Sequence, residues 1–162
     1  MTEPAPTTES LIAFVLLEAR LLDEGRFEEW FQCYAEDGFY WVPLSKDQSD
    51  GENYNSLAYE DKLLLRLRID RLQHPRSFSQ QPKSRCHHLL QTPELERFDL
   101  ATQSFETRTQ QIYTESRGEE VQQYAVTVWH RLRWVNRHWQ IVLKRCDLLN
   151  ADAMLPSIQL FI

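Results

Sequence analysis

The chain has 162 residues, 42% of them hydrophobic, which is enough for one substantial core and too few for two ordinary domains. Its net charge of -6 argues against a general nucleic-acid binder, and no apolar run approaches the length of a membrane span. Cys33, Cys86 and Cys146 are odd in number and form no CxxC pair, which fits reduced buried thiols better than a disulfide framework. The opening Met-Thr-Glu-Pro-Ala-Pro lacks the basic and hydrophobic segments of a secretory signal, so a cytoplasmic location is expected.

Residues 1–8 read as a flexible arm ending in a helix cap, and 9–162 as a single domain. Leu11, Phe14, Val15, Glu18, Leu21 and Leu22 recur at three- and four-residue spacing, which predicts a helix with one broad buried face. Gly25 follows its last turn, where a left-handed residue is wanted. Phe27, Trp30, Phe31 and Tyr34 repeat the spacing on a short second helix, where the adjacent Glu28 and Glu29 read as solvating or capping residues. Glu36-Asp37-Gly38 reads as a turn into a short strand, Phe39 to Val42, closed by Pro43. Ser45 to Asn55 is a polar, acidic, exposed excursion. A third helix is expected from Leu57 to Gln73, ended by His74-Pro75. Arg66, Arg68, Arg71, Arg76 and Arg85 are interrupted by acids, a pattern for protein–protein salt bridges rather than for a nucleic-acid track.

The second half changes period. Phe98, Leu100 and Thr102 alternate with polar neighbours, Phe105 to Tyr113 continues extended, and Ser116-Arg117-Gly118-Glu119 supplies a hairpin turn. Tyr124, Val126, Val128, Leu132 and Trp134 share one strand parity, and Ala125, Thr127, Trp129, Arg131 and Arg133 the other. Asn136-Arg137-His138 turns the chain into a third long strand beginning with Trp139, Ile141 and Leu143. Helices at the front and a meander at the back specify α+β, with the helices on one face of a strongly curved, mainly antiparallel sheet. The other face, bearing Trp129, is then covered by a partner or a fold-back, or tolerates surface aromatics.

Arg85-Cys86-His87-His88 is the densest set of metal-capable residues, but adjacent histidines on an extended segment face apart, and a zinc site wants further ligands. Cys146, Asp147 and His130 could join only through a fold that spacing does not dictate. Hydrogen bonding by Arg85 and one of the histidines at a helix-to-strand junction is the simpler reading. Asp37, Tyr40, His88, Tyr124 and Asp147 are candidate parts for an enclosed enzyme site, although no spacing joins them. Neither a phosphate loop, a dinucleotide fingerprint nor a Rieske-type CxH…CxxC pair occurs.

Six segments carry a resemblance: EARLLDEGRFEEW at 18–30, YAEDGFYWVP at 34–43, YEDKLLLRLRIDRL at 59–72, PKSRCHHLL at 82–90, WHRLRW at 129–134 and WQIVLKRCDLLNAD at 139–152. With the hydrophobic C-terminal tail, their order and spacing resemble the small, or beta, subunit of aromatic-ring-hydroxylating dioxygenases. The resemblance implies a cystatin-like, NTF2-like cone. It also implies a large (alpha) subunit partner carrying a Rieske [2Fe-2S] centre and mononuclear Fe(II), fed from NADH through a reductase. Large and small subunits would alternate three plus three, with other small subunits also in contact. Catalysis, cofactor and metal binding would then lie off this chain, whose role would be assembly and stabilisation around cis-dihydroxylation of a benzoate-like substrate. Tyr40, Trp41 and Pro43 match the family core, Arg85 and His88 an SRxxH-type junction, and Asn150 and Asp152 an ND-like element. Gln91-Thr-Pro departs from the commoner continuation. Interface or structural roles therefore fall to Tyr40, Trp41, Arg85, His88, Trp129, Arg131, Asn150 and Asp152. Neither nucleic acid nor a membrane is expected as a partner, and the alternative is an independent NTF2-like pocket enzyme or small-molecule binder.

Overall fold

A computed structural model describes residues 4–45, 47–75 and 82–162. The expectations for Arg76 and for the first three residues of the arm fall outside them. Helix α1 (Thr8–Asp23) opens with a capping box in which Thr7 and Ser10 satisfy each other's backbone amides. It buries Leu11, Val15, Glu18, Leu21 and Leu22, and ends at Gly25, whose φ is +67°. Helix α2 (Phe27–Gln32) buries Trp30.

Strand β1 (Tyr34–Pro43) begins earlier than its apolar run suggests. Tyr34 belongs to this strand and not to the helix, and Glu36-Asp37-Gly38 lies within the strand and is not a turn. The cause is tertiary: Ile141 donates its amide to Cys33 O, and Tyr34 pairs with Ile141, so the chain is drawn into the sheet directly after α2. The pairing skips register between Tyr34 and Phe39, and a Cβ on Gly38 would lie 2.5 Å from Ile141 O.

The helix expected from Leu57 is two elements. Strand β2 (Ser56–Glu60) pairs antiparallel with β1, and α3 (Lys62–Gln73) starts only after Asp61, whose carboxylate accepts the Leu64 amide. Stacking of Tyr59 on Phe39 at 4.8 Å and its edge contact with Trp41 hold residues 56–60 extended. His74 has extended backbone and stops α3 as its proline neighbour requires. The described residues of the 44–55 excursion carry no regular element. Its Gln48 side chain donates to Asp50 O, Asn55 O and Ser56 Oγ, and accepts the Leu44 amide.

Strands β3 (Ser84–Leu90), β4 (Glu94–Asp99), β5 (Ser104–Arg117), β6 (Glu120–Val135) and β7 (His138–Leu148) complete the sheet. Leu100 and Thr102 lie in the β4–β5 turn instead of continuing the alternation, because the Asp99 carboxylate accepts the amides of Ala101 and Thr102 and reverses the chain. Asn136 and Arg137, both at positive φ, make the tight β6–β7 turn. Among the described residues the strand order is β2-β1-β7-β6-β5-β3, with β4 also on β5; only β1–β7 is parallel.

The helices cover the inner face, and the C-terminal segment folds back beneath them. Phe161 is fully buried, its ring 4.4 Å from Trp30 and 5.5 Å from Tyr40, with the Arg68 guanidinium 4.2 Å away. Buried Glu115 accepts the Gln159 and Leu160 amides, Arg68 donates to Leu160 O, and Ile162 donates its amide to Tyr40 Oη. The tail is thus part of the core.

Candidate functional site

The sheet's outer face carries a row of side chains set by register. Trp41 on β1 pairs with Arg145 on β7, Arg145 with Trp129 on β6, Trp129 with Arg108 on β5, and Arg108 with Glu94 on β4. The result is an alternation of indole and guanidinium ending in a carboxylate. The Arg145 guanidinium lies 4.4 Å from the Trp41 ring, and that of Arg108 lies 5.8 Å from Trp129. Asp147 fixes the middle by accepting from Arg145 Nε at 2.9 Å and from Trp129 Nε1 at 3.1 Å. Trp41 Nε1 donates to Ser56 Oγ at 2.9 Å, and Arg108 reaches Glu94 at 3.5 Å. Arg131, 58% exposed, donates to Glu106 beside the row.

Two hollows flank Trp129. One of about 470 Å³ is lined by Trp41, Ser49, Arg131, Leu143 and Asp147 among others. The other, about 910 Å³, runs past Leu89, Ile112, Ala125, Thr127 and Leu149. Leu89, Ile112 and Leu149 are exposed there. Tryptophan and arginine dominate the energetics of protein interfaces, because each offers a large area at small entropic cost together with directed donors. The paired charges leave the face nearly neutral, so a docking surface would desolvate few lone ions.

The inner face is built differently. Buried Glu18 accepts from Lys144 Nζ and Trp30 Nε1, both at 2.6 Å, and lies 3.4 Å from His130 Nε2. Burial pushes the Glu18 carboxyl up, but the Lys144 charge and His130 outweigh it and hold it well below the usual carboxylate range. Burial pushes His130 down against the pull of Glu18. Glu18 stood in the helix stripe, but Lys144 was not legible. The register shift at Arg131/Leu132 moves β7 by one residue after Ile141, turning Leu143 out and Lys144 in.

At the end of α1, Asp23 accepts from His88 Nδ1 at 2.6 Å and from the His88 amide at 3.2 Å, while Cys86 donates to Leu22 O. Asp23, Cys86 and His88 are the one metal-capable trio among the described residues. Their bonds already satisfy the carboxylate and thiol as a latch between α1 and β3. Burial pushes the thiols of Cys33, Cys86 and Cys146 up to about 12, away from thiolate chemistry. His130 and Cys146 point inward and Asp147 outward, so that trio does not form.

Of the residues singled out in the sequence, Trp41, Trp129 and Arg131 meet on the outer face. Tyr40 and His88 are interior, bonded to the tail and to Asp23. Arg85 is exposed on β3, and Asn150 and Asp152 are exposed after β7. The candidate enzyme parts are dispersed: Asp37 pairs with Arg133 outside, Tyr124 donates to Gln122, and Asp147 belongs to the row. The fully buried Phe161 ring packs against Trp30 and Tyr40. Sequence reasoning missed Arg108 and Arg145, which only strand register brings beside the tryptophans.

The family model of the ring hydroxylating beta subunit matches residues 17–154. The 2-halobenzoate 1,2-dioxygenase small subunit of Burkholderia cepacia is 32% identical over 100 residues, 59% of this chain and 61% of that protein. The chain thus aligns with somewhat under two thirds of that relative's length. The beta subunit of benzoate 1,2-dioxygenase from Burkholderia mallei superposes with a TM-score of 0.76 at 25% identity, covering 98% of this chain and all of that one. An NTF2-like protein with a cystatin-like fold from Novosphingobium aromaticivorans, 15% identical, matches at 0.60 over 88% of this chain and 81% of that one, a likeness of fold alone. With the match running from α1 to beyond β7, the chain belongs to the ring-hydroxylating beta subunit family.

Proposed function

We propose that this chain is the noncatalytic small subunit of an aromatic-ring-hydroxylating dioxygenase, holding a large catalytic subunit in an alternating three-plus-three assembly in the cytoplasm. The observation that carries this reading is the Trp41–Arg145–Trp129–Arg108 row, in which buried Trp41 backs half-buried Arg145, Trp129 and Arg108 on the face the helices leave uncovered. Packing of the fully buried Phe161 ring against Trp30 and Tyr40 supports it, since that ring takes up space a substrate would need there. On this reading the Rieske cluster and mononuclear iron belong to the large subunit and draw electrons from NADH through a reductase. The residues of this chain bind and position that partner. The benzoate-type relatives favour a benzoate-like substrate.

Co-expression with the large subunit followed by native mass spectrometry tests the proposal. The expected product is a mixed complex whose iron follows the large chain. Trp129→Ala should weaken assembly about 30-fold or more while leaving the circular dichroism of the chain intact. Unchanged assembly would remove Trp129 from the interface, and ring hydroxylation by the isolated 162-residue chain would overturn the division of labour.

A further inference from the structure

We propose that the inner face of β5, β6 and β7 beneath α1 is a binding site for ordered water, a short hydrogen-bonded chain that completes the solvation of the buried Lys144 ammonium. The inference does not depend on the role of the chain in assembly. Lys144, His130 and Thr107 stand side by side across three strands, since Lys144 pairs with His130 and His130 with Thr107. Thr109 is the next inward residue on β5. All four are at most 2% exposed.

Their hydrogen-bonding capacity exceeds what the protein supplies. An ammonium carries three protons. Among the described residues Glu18 Oε1 is the one acceptor for Lys144 Nζ, with the Trp30 ring 5.9 Å away. Thr107 Oγ1, Thr109 Oγ1 and both ring nitrogens of His130 have no hydrogen-bond partner. The 3.4 Å from His130 Nε2 to Glu18 is a close contact without hydrogen-bond alignment. So many adjacent unpaired polar groups in one core destabilise a fold unless a ligand joins them.

The chemistry of the lining selects the ligand. It must accept from Lys144 and also donate to a neutral imidazole, which excludes a cation and a plain anion. It must be small, because Phe105, Val128 and Leu132 on the same inner face are at most 2% exposed. Water meets each demand, and buried water commonly bridges two to four such groups.

Isosteric Thr107→Val and Thr109→Val variants of the full chain separate a hydrated site from a dry one. If water binds there, each variant strands it and lowers the thermal midpoint by about 2–4 °C. The double variant then loses less than the sum, because both hydroxyls serve one chain. A raised or unchanged midpoint overturns the proposal, since removing an unpaired hydroxyl from a dry core stabilises it. Oxygen-17 relaxation dispersion on the wild-type chain keeps the test open should the variants fail to fold. At least one long-lived internal water is expected, and none would overturn it.

Discussion

Replacing Phe161 with alanine tests most directly whether the C-terminal segment belongs to the core. The side chain is fully buried, packed against Trp30 at 4.4 Å, Tyr40 at 5.5 Å and Phe27 at 6.1 Å, with the Arg68 guanidinium over it at 4.2 Å. Truncation leaves a cavity bounded by rings that other strands hold in place, so collapse is limited. Removal of a phenylalanine under those conditions costs about 3–5 kcal/mol. For a chain of this size each kcal/mol moves the thermal midpoint about 2–4 °C, so a fall of roughly 6–20 °C is expected. Urea unfolding gives the free energy, and near-ultraviolet circular dichroism reports the loss of asymmetry around Trp30. A loss below about 1 kcal/mol with an unchanged Trp30 signal would refute the reasoning, because a tail merely laid on the surface behaves that way.

The parallel β1–β7 junction and the buried ion pair give two further expectations. Gly38→Ala sets a methyl 2.5 Å from Ile141 O and 3.0 Å from Ala35 O, both backbone atoms, and should cost about 1–3 kcal/mol in urea unfolding; a change within about 0.5 kcal/mol would show that the bulge is slack. Glu18 has a folded pKa below its ordinary 4.5, so its stabilisation is fully present above that value and drains away as pH falls toward the folded pKa. Stability measured from pH 7 to pH 3 should therefore decline more steeply in the wild type than in Glu18→Gln. The variant should already be about 3–5 kcal/mol weaker at pH 7, where it leaves Lys144 buried without its counter-charge. Parallel profiles would rule out that origin for the acid sensitivity.

Much of the framework was legible because local signals agreed with the tertiary answer. The stripe from Leu11 to Leu22, the left-handed Gly25 and the opposite parities of Val128 and Trp129 needed no partner to be read. Errors arose where pairing overrode local pattern. Residues 57–60 have a short apolar run that suits helix or strand equally, and contact of Tyr59 with Phe39 and Trp41 decided the matter. Tyr34 keeps helical spacing from Trp30 yet is claimed by β7. The site was half visible. Trp41, Trp129 and Arg131 could be chosen as residue types, but Arg145 and Arg108 join them only through the register of four strands. Lys144 was hidden because a one-residue shift in β7 reverses the parity that Trp139 and Ile141 establish.

The parallel pairing of β1 with β7 has a temporal consequence. Strand β1 finds its parallel partner about a hundred residues later, so Trp41 cannot face Arg145 until β7 has left the ribosome. Trp30 and Tyr40 likewise wait for Phe161. A nascent or truncated chain would present loose aromatics without the aligned row, which exists only in the finished fold. On the proposed assembly, a partner gripping the row would select folded chains over unfinished ones, so that assembly itself would act as a checkpoint on folding.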